Sequence, residues 1–292
     1  MYRLSPFIAP LLLVATLAAS AQEAGMVEGL QSPAWMERQG AIVPVAPGMV
    51  LRPADRLRTG NGGRLLLRLA EGSHVKLGEN ARFHLERFAP PAEPDGPFAG
   101  LLEVAKGAFR FTTTLLSRPH RRHLDIRVAA VTAGIRGTDV WGKAKPDEDI
   151  VCLIEGDITV GRESEPPVTM NEPLSFYVAP KDAPPKPVTK VSEEQLALWA
   201  EETELTSGQG IQLAGGRWSV ALASFRDGER ATRALRGLHE QGQPARIERV
   251  EVDGRRWYRL VVSNFKDRGE AKAYASRPEL AARHPGAWPY RR

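Results

Sequence analysis

The sequence has a single cysteine and lacks the common catalytic motifs. Among its 292 residues only Cys152 is a cysteine, so no disulfide can form within the chain. Cys152 lies in the apolar run 150–154, which favours a buried thiol. No Gly-x-Ser-x-Gly elbow, phosphate-binding loop or His-Glu-x-x-His motif is present. We therefore expect no enzymatic activity and no cofactor.

The sequence also lacks a set of metal-ligating residues at a suitable spacing. His120 and His123 stand three residues apart, but two arginines separate them and no third ligand follows at a suitable spacing, so a solvated basic loop is expected. Asp147, Glu148 and Asp149 are consecutive. Because neighbouring residues of a strand point to opposite faces, they are not expected to form a carboxylate pair, and a charged turn is predicted. The sequence predicts no metal site.

The only long apolar stretch is at the N-terminus. Arg3 precedes an apolar run over 7–19 that ends in Ala19-Ser20-Ala21, a pattern typical of a secretory signal peptide at residues 1–21. Pro10 interrupts the run, which is shorter than the roughly 20 residues of a membrane span. An uncleaved anchor is the alternative. We expect export to the periplasm of a Gram-negative cell, with no membrane span after cleavage and no nucleic-acid partner.

Residues 26–180 show the pattern of a β domain. Runs of four to seven residues alternate with glycine-containing turns, which predicts an all-β sandwich or barrel. Apolar and polar residues partly alternate over 64–69 and 73–77, as in a sheet with one wet face. The predicted core residues are Leu65, Leu67, Leu69, Val75 and Leu77. Prolines over 89–97 predict an exposed connection.

Residues 181–215 are interpreted as a connecting segment. It is rich in proline at first and then reads SEEQLALWAEETEL, a short helix with Ser192 as its N-cap and Gln195 three residues later. Small residues dominate 206–216, which predicts a linker that lets its neighbours move independently.

Residues 216–292 have the alternating rhythm of an α+β domain. The order strand, helix, strand, hairpin, strand, helix, strand predicts a βαββαβ unit. Asp227 and Asp267 are the predicted helix caps. The first helix carries an apolar stripe at Ala231, Ala234, Leu235 and Leu238, and both helices should cover the same sheet face. The other face is then free to bind a ligand.

This segment resembles a SPOR (sporulation-related repeat) domain over residues 216–292. The matching features are, in order, WSV at 218–220, ASF at 223–225, Ala231, Gly242, WYRLVV at 257–262, Phe265 and Glu270-Ala271. The chain departs from the family pattern at Ala221, where glutamine is common, at Ala223, where glycine is common, and at Ser263-Asn264. The resemblance implies binding of peptidoglycan glycan strands stripped of their stem peptides, which are abundant at division septa.

Strand alternation places Trp257, Arg259 and Val261 on the open face. Ala221 and Ala223 are expected to share that face, with Ser224 at the strand end. Trp257, Arg259 and Ser224 are therefore the principal candidate glycan contacts. As alternatives, Trp257 supports the hairpin, Arg259 forms a structural salt bridge, and the two alanines permit close helix packing.

Charge is unevenly distributed. Residues 215–292 contain 17 Lys and Arg against 9 Asp and Glu, a net charge of +8, whereas the rest of the chain carries 23 against 26, a net of −3. A basic domain suits polyanionic partners such as wall polymers.

The N-terminal region resembles a FecR-type domain over residues 38–178. The clearest match is VTAGIRGTDV at 131–140, supported by 48–59, 72–77 and 153–156. Such domains are periplasmic β-rich modules, some of them in sigma-factor signalling proteins; the cytoplasmic segment and membrane span used in that role are not seen in this sequence. A tight turn in which Arg136 ties strands together is predicted for 134–138, with ligand binding as the alternative.

Together these patterns predict a two-domain periplasmic protein whose C-terminal domain binds peptidoglycan and localises the chain. The alternative is an envelope signalling or scaffold protein, in which the FecR-like domain binds a protein partner and the C-terminal domain only tethers it.

Overall fold

A computed structural model describes residues 23–89, 98–113, 122–163 and 165–292. The predicted signal peptide, residues 90–97 of the proline-rich connection and His120 lie outside the described residues. The strands within them are β1 (Gly25–Gln31), β2 (Ala34–Arg38), β3 (Ala41–Pro44), β4 (Val50–Leu51), β5 (Arg56–Thr59), β6 (Arg64–Leu69), β7 (His74–Leu77), β8 (Arg82–Ala89), β9 (Phe98–Thr112), β10 (Arg122–Val128), β11 (Val131–Ile135), β12 (Asp139–Ala144), β13 (Glu148–Glu155), β14 (Ile158–Arg162), β15 (Val168–Met170), β16 (Ser175–Pro180), β17 (Thr189–Lys190), β18 (Gln212–Leu213), β19 (Trp218–Phe225), β20 (Ala245–Val252), β21 (Arg255–Phe265) and β22 (Trp288–Arg291). The helices are α1 (Glu193–Glu201), α2 (Gly228–Glu240), α3 (Arg268–Ala275) and α4 (Pro278–Arg283).

The N-terminal strands form two sheets that share β9. One sheet has the order β4–β1–β6–β7–β9–β12–β13–β16–β17, and the second has the order β3–β2–β5–β8–β9–β10–β11–β14–β15. Strand β9 passes from the second sheet to the first at Gly107, whose φ is +86° and where a side chain would meet Ala81. Glycine is suited to this position because it tolerates both the positive φ and the close approach.

One apolar core lies between the two sheets. The predicted core residues Leu65, Leu67, Leu69, Val75 and Leu77 are all buried there. The predicted all-β, sandwich-like fold of this region is confirmed. Strands β10 and β11 follow each other directly, because a turn at Ala129 reverses the chain.

The C-terminal domain is an α+β unit with the sheet order β20–β21–β19–β22, all antiparallel. The carboxylate of Asp227 accepts hydrogen bonds from backbone N–H groups at the start of α2, and Asp267 does the same for α3, as predicted. The second predicted helix is divided into α3 and α4. The break falls at Pro278, because a residue that precedes proline disfavours the helical conformation.

The segment before this domain is fixed in place, so the predicted independent movement is wrong. Ser192 caps α1 as predicted, its Oγ accepting from the N–H of Gln195 at 3.2 Å. Strand β18 pairs with β1 on one side and with β21 on the other, which makes the sheet continuous between the two regions. The small residues leave the backbone N–H and C=O groups of the segment open to hydrogen bonding. These groups pair with the neighbouring strands, so the segment is not a flexible tether. The domain boundaries near residues 180 and 216 stay predictions.

Side chains also join the two regions directly. Ser32 donates to Oε1 of Gln243 at 2.9 Å, and the hydroxyl of Tyr274 donates to the same oxygen at 2.8 Å. Arg277 donates to the carbonyl of Ser32 at 2.8 Å. The indole N–H of Trp35 donates to the carbonyl of His239 at 3.2 Å. Most of these polar groups are buried and satisfied, which favours one defined arrangement of the two regions.

Two smaller expectations can be compared with the structure. None of the helices in the described ranges has the length and apolar character needed to cross a bilayer. Cys152 is buried as predicted, and burial raises the pKa of its thiol to about 12.

Candidate functional site

The sheet of the C-terminal domain has one face covered by helices and one face, here called the open face, without them. Val220, Leu222, Leu260 and Val262 pack with the helices in the domain core. The register therefore assigns the alternate residues to the open face. They are Arg246, Glu248 and Val250 of β20, Trp257, Arg259 and Val261 of β21, Ala221 and Ser224 of β19, and Trp288 and Tyr290 of β22.

A β-bulge in β19 changes which of the predicted residues share this face. Ala221 pairs with Val261, but the register shifts before Ala223, which pairs with Leu260. Ala223 is thus opposite a core residue, so the expectation that it shares the open face with Ala221 is wrong. The extra residue of a bulge reverses the alternation after it. Ser224 now stands beside Arg259 on the open face.

The centre of the open face is filled rather than hollow. Ala221 and Val261 have no exposed surface, and the hydroxyls of Ser219 and Ser263 bond to each other at 3.0 Å beside them. These residues form a floor that a ligand cannot touch directly. Contact is left to the larger side chains around the floor.

Aromatic and cationic side chains surround the floor. The guanidinium of Arg226 lies 3.8 Å from the ring centre of Trp257, and that of Arg259 lies 5.3 Å from the ring centre of Trp288. Trp288 is 42% exposed. Stacked guanidinium groups of this kind keep their donors in a fixed plane while leaving the edges free for a ligand.

Glu248 connects the two outer strands across the open face. Its carboxylate accepts from the Tyr290 hydroxyl at 3.1 Å and from Arg292 at 2.6 Å, and it also pairs with Arg246. Burial and, secondarily, Glu248 raise the pKa of Tyr290. This network joins β22 to β20 across the open face, so the position of Trp288 on β22 depends on it.

Arg259 carries an unused donor. Its Nε is buried and has no hydrogen-bond partner among the described residues, and no ion pair of Arg259 is found there. Arg259 therefore forms no structural salt bridge with the described residues, contrary to the alternative given above. The Arg259 side chain as a whole is partly exposed beside Ser224 and Trp288, and a guanidinium carries only donors, so it suits a ligand with acceptor oxygens.

Sequence reasoning missed several residues of this face: Arg226, Arg246, Glu248, Trp288 and Tyr290. The last two could have been found, because Trp288 and Tyr290 are two apart in the final strand and alternate residues share a face. Arg226 follows the strand, and only the turn into α2 brings it over Trp257.

The FecR-like motif is built as a turn. Gly137 has a φ of +73°, and the N–H of Thr138 donates to the hydroxyl of Thr113 at 3.2 Å. Arg136 is exposed and makes no ion pair or hydrogen bond with the described residues, so it does not tie strands together. That role belongs to Arg110, which pairs with Asp139 at 2.6 Å.

Within the part of the chain that the structure describes, one group of potential metal ligands lies outside the open face. His84, Glu86 and Glu103 offer ligand atoms that all lie within 4.8 Å of one another. Glu86 pairs with Arg127 at 3.3 Å and His84 lies 3.4 Å from Glu103. The guanidinium competes with a cation there.

The fold and this surface define a two-part chain, a β-sandwich followed by a small α+β domain with a ligand-accessible sheet. Comparison with known families gives both parts a name. Residues 55–159 match the FecR protein family and residues 214–291 match the SPOR domain family. The chain therefore combines a FecR domain with a C-terminal SPOR domain, as predicted from its motifs.

Among solved structures, two similar ones are of proteins assigned as anti-sigma factors from Parabacteroides distasonis ATCC 8503. The first is 14% identical with a TM-score of 0.41, covering 50% of this chain and 63% of that one. The second is 12% identical with a TM-score of 0.41, covering 70% of this chain and 98% of that one. No curated protein matches.

Proposed function

We propose that the chain is a periplasmic protein that binds peptidoglycan glycan strands through the open face of its SPOR domain. The SPOR match over residues 214–291 supports this proposal, since that family implies peptidoglycan binding. In this proposal Trp257 and Trp288 contact sugar rings, while Arg259 and Ser224 bond to hydroxyls and carboxylates. Ala221 and Val261 form the floor, and Ala223 acts only through the shape of the bulge.

The aromatic and cationic composition of the face supports a saccharide ligand. A pyranose ring has apolar faces that suit an indole and an equator of hydroxyls that suits charged donors. Trp257, Arg259 and Trp288 make ring contacts with residues of the SPOR domain. Among the described residues, no hydrogen bond, ion pair or ring contact joins any of the three to the FecR domain. Trp257 and Arg259 are partly exposed and Trp288 is exposed, so all three side chains are available to a ligand.

Sedimentation with purified sacculi tests the proposal. The variant Trp257→Ala/Arg259→Ala should remain in the supernatant under conditions in which the parent chain pellets. Sacculi treated with an amidase, which removes stem peptides, should bind more of the parent chain. A folded double variant that pellets like the parent would contradict the proposed site.

A matched control comes from the same two strands. Tyr258 and Arg249 pair with each other next to Trp257 and Val250 but face the helices. Tyr258→Ala/Arg249→Ala removes one aromatic ring and one guanidinium from the opposite face, so it should still pellet. Circular dichroism of both double variants checks that the fold is kept.

Two finer parts of the proposal concern location and partners. Export by the predicted signal peptide and preference for denuded glycan would place the protein at division sites, which a fluorescent fusion observed in dividing cells tests. The alternative is that the FecR domain binds an envelope protein partner while the SPOR domain tethers it. Cross-linking in cells followed by mass spectrometry tests that alternative, and recovery of a stoichiometric partner on FecR residues would support it.

A further inference from the structure

A groove of about 500 Å³ lies on the outer surface of the second N-terminal sheet, away from the open face. Strands β2, β5, β8 and β9 run side by side beneath it. The polar side chains that line it are Glu37, Arg56, Arg58, Arg82, His84 and Glu103.

A row of like charges runs from Arg58 and Arg82 in the groove to Lys106 on the neighbouring strand. Arg58 pairs in register with Arg82, and Arg82 pairs with Lys106 on the next strand. All three are exposed, and none has a carboxylate partner within 4.0 Å in the described ranges. Like charges directly opposite one another destabilise a sheet. This electrostatic cost would be relieved by an anionic ligand.

Some sheet cations of the FecR domain have a carboxylate partner. Arg38 pairs with Asp55 at 2.6 Å and Lys143 with Glu202 at 2.6 Å. Arg64, Arg68 and Arg87 have no ion pair among the described residues either, so the row is distinguished by the direct opposition of its cations across neighbouring strands.

One cation of the row is fixed in position. The guanidinium of Arg58 lies 4.5 Å from the ring centre of Trp35. The indole is itself held by its hydrogen bond to the carbonyl of His239 and by close packing against Gly242, whose φ is +67°. A guanidinium held on an aromatic ring loses little freedom when it binds an anion. The SPOR domain thus helps to position this arginine.

The adjacent row carries groups of a different kind. In register it runs Glu37, Arg56, His84 and Glu103, and Nδ1 of His84 lies 3.4 Å from Oε2 of Glu103. Carboxylates and imidazole bond to hydroxyls. The two rows together contain two carboxylates, Glu37 and Glu103, and four cations, which are Arg56, Arg58, Arg82 and Lys106. The groove and its edge therefore carry an excess of positive charge. A ligand that matches both rows has anionic groups along one side and hydroxyls along the other.

We propose that this groove binds an acidic oligosaccharide. Its carboxylate or phosphate groups lie on Arg58, Arg82 and Lys106, and its hydroxyls face Glu37, His84 and Glu103. Neighbouring strands are about 4.8 Å apart, so the cation row spans about 10 Å and requires a chain of several sugars. The site is separate from the open face and does not depend on glycan binding there.

Isothermal titration of the full chain with hexagalacturonate at low salt tests the proposal, with maltohexaose as the neutral probe. Hexagalacturonate should bind and maltohexaose should not. The variant Arg58→Gln/Arg82→Gln/Lys106→Gln should bind at least about tenfold more weakly, and added salt should weaken binding to the parent chain. A phosphorylated maltohexaose distinguishes phosphate from carboxylate as the preferred group.

The control removes the same charge elsewhere. Arg52, Arg136 and Arg236 are exposed and lie outside the groove, so Arg52→Gln/Arg136→Gln/Arg236→Gln should bind like the parent. Equal affinities of the two triple variants would overturn the proposal, because the SPOR domain or net charge would then account for binding. Tighter binding of inorganic polyphosphate than of any saccharide would overturn the assignment to a sugar.

Thermal unfolding separates lost binding from lost folding. Since the row consists of opposed like charges, the groove variant should unfold at the same temperature as the parent or higher. If the triple variant unfolds at a lower temperature than the parent, the single variant Arg82→Gln is used for the titration instead. Arg82 is in the middle of the row and has no other partner among the described residues. An Arg82→Gln variant with unchanged affinity for hexagalacturonate would contradict the proposal.

Discussion

Glu270 is a nearly buried carboxylate that holds the connecting segment against the SPOR domain. Its two oxygens accept hydrogen bonds from the backbone N–H groups of Gly208, Gly210 and Ile211, at 2.8, 2.8 and 2.9 Å. A carboxylate that accepts several N–H groups replaces the water those groups lose on burial. One side chain thus fixes a stretch that its composition alone would leave free.

The variant Glu270→Gln tests this role. An amide has only one acceptor oxygen, so one or two of the buried N–H groups lose their partner, and we expect unfolding to become easier by about 1–3 kcal/mol. Hydrogen exchange at residues 208–211 should accelerate, and urea unfolding gives the free energy. Glu240→Gln, on the exposed end of α2, is the control and should change neither quantity.

Cys152 is a second residue whose chemistry is set by burial. Because burial raises the pKa of its thiol to about 12, the reactive thiolate is almost absent at pH 8. The native protein should therefore react with a disulfide reagent at pH 8 far more slowly than the protein unfolded in guanidinium chloride. Comparable rates in the two states would show that the thiol is accessible in the native fold.

At the scale of elements, α1 is attached to the first N-terminal sheet by few contacts. The rings of Trp199 and Trp141 are stacked, with centres 4.7 Å apart and planes 7° from parallel, and Phe176 meets Trp199 edge-on at 5.9 Å. Beyond the helix, Glu202 pairs with Lys143 at 2.6 Å. No residue of α1 is fully buried, so the aromatic contact dominates its attachment.

Replacing Trp199 with alanine should release α1. We expect a loss of stability of about 2–4 kcal/mol if the helix unfolds with the rest of the chain. Hydrogen exchange over 193–201 should become fast even where the core stays protected. Leu198→Ala removes a side chain that is 60% exposed on the same helix, so its effect should stay within about 0.5 kcal/mol; equal effects of the two variants would argue against the stacking contact.

At the scale of the whole molecule, the FecR and SPOR domains share hydrogen bonds through a sheet and a polar interface. Strand β18 joins β1 to β21, and Arg277 reaches from the SPOR domain to the carbonyl of Ser32. Burial lowers the pKa of Arg277, although nearby acidic groups oppose the shift. Domains joined in this way unfold together when the interface contributes a sufficient share of the stability of each.

Calorimetry tests this coupling. The parent chain should unfold in one transition with equal calorimetric and van't Hoff enthalpies. Arg277→Ala removes the contact with Ser32 and leaves a buried carbonyl without its donor, so the transition should broaden or divide into two. Arg283→Ala, on the exposed side of α4, should leave a single transition. Two transitions in the parent chain would show that the domains are independent.

The sequence by itself determined most of the elements and both domain families. Alternation gave the core positions Leu65 and Leu67, the caps Asp227 and Asp267 marked the helix starts, and ordered motifs identified the SPOR and FecR domains, because all of these depend on residues close together in the chain. Tertiary structure alone decided the rest. Four features arise from pairing between strands that are distant in the sequence. Two belong to the open face: the bulge that turns Ala223 away from it and the placement of Trp288 beside Arg259. The other two are the row of Arg58, Arg82 and Lys106 and the fixed connecting segment. A local pattern indicates which face of a strand is buried, but it does not say which residue of a distant strand stands opposite.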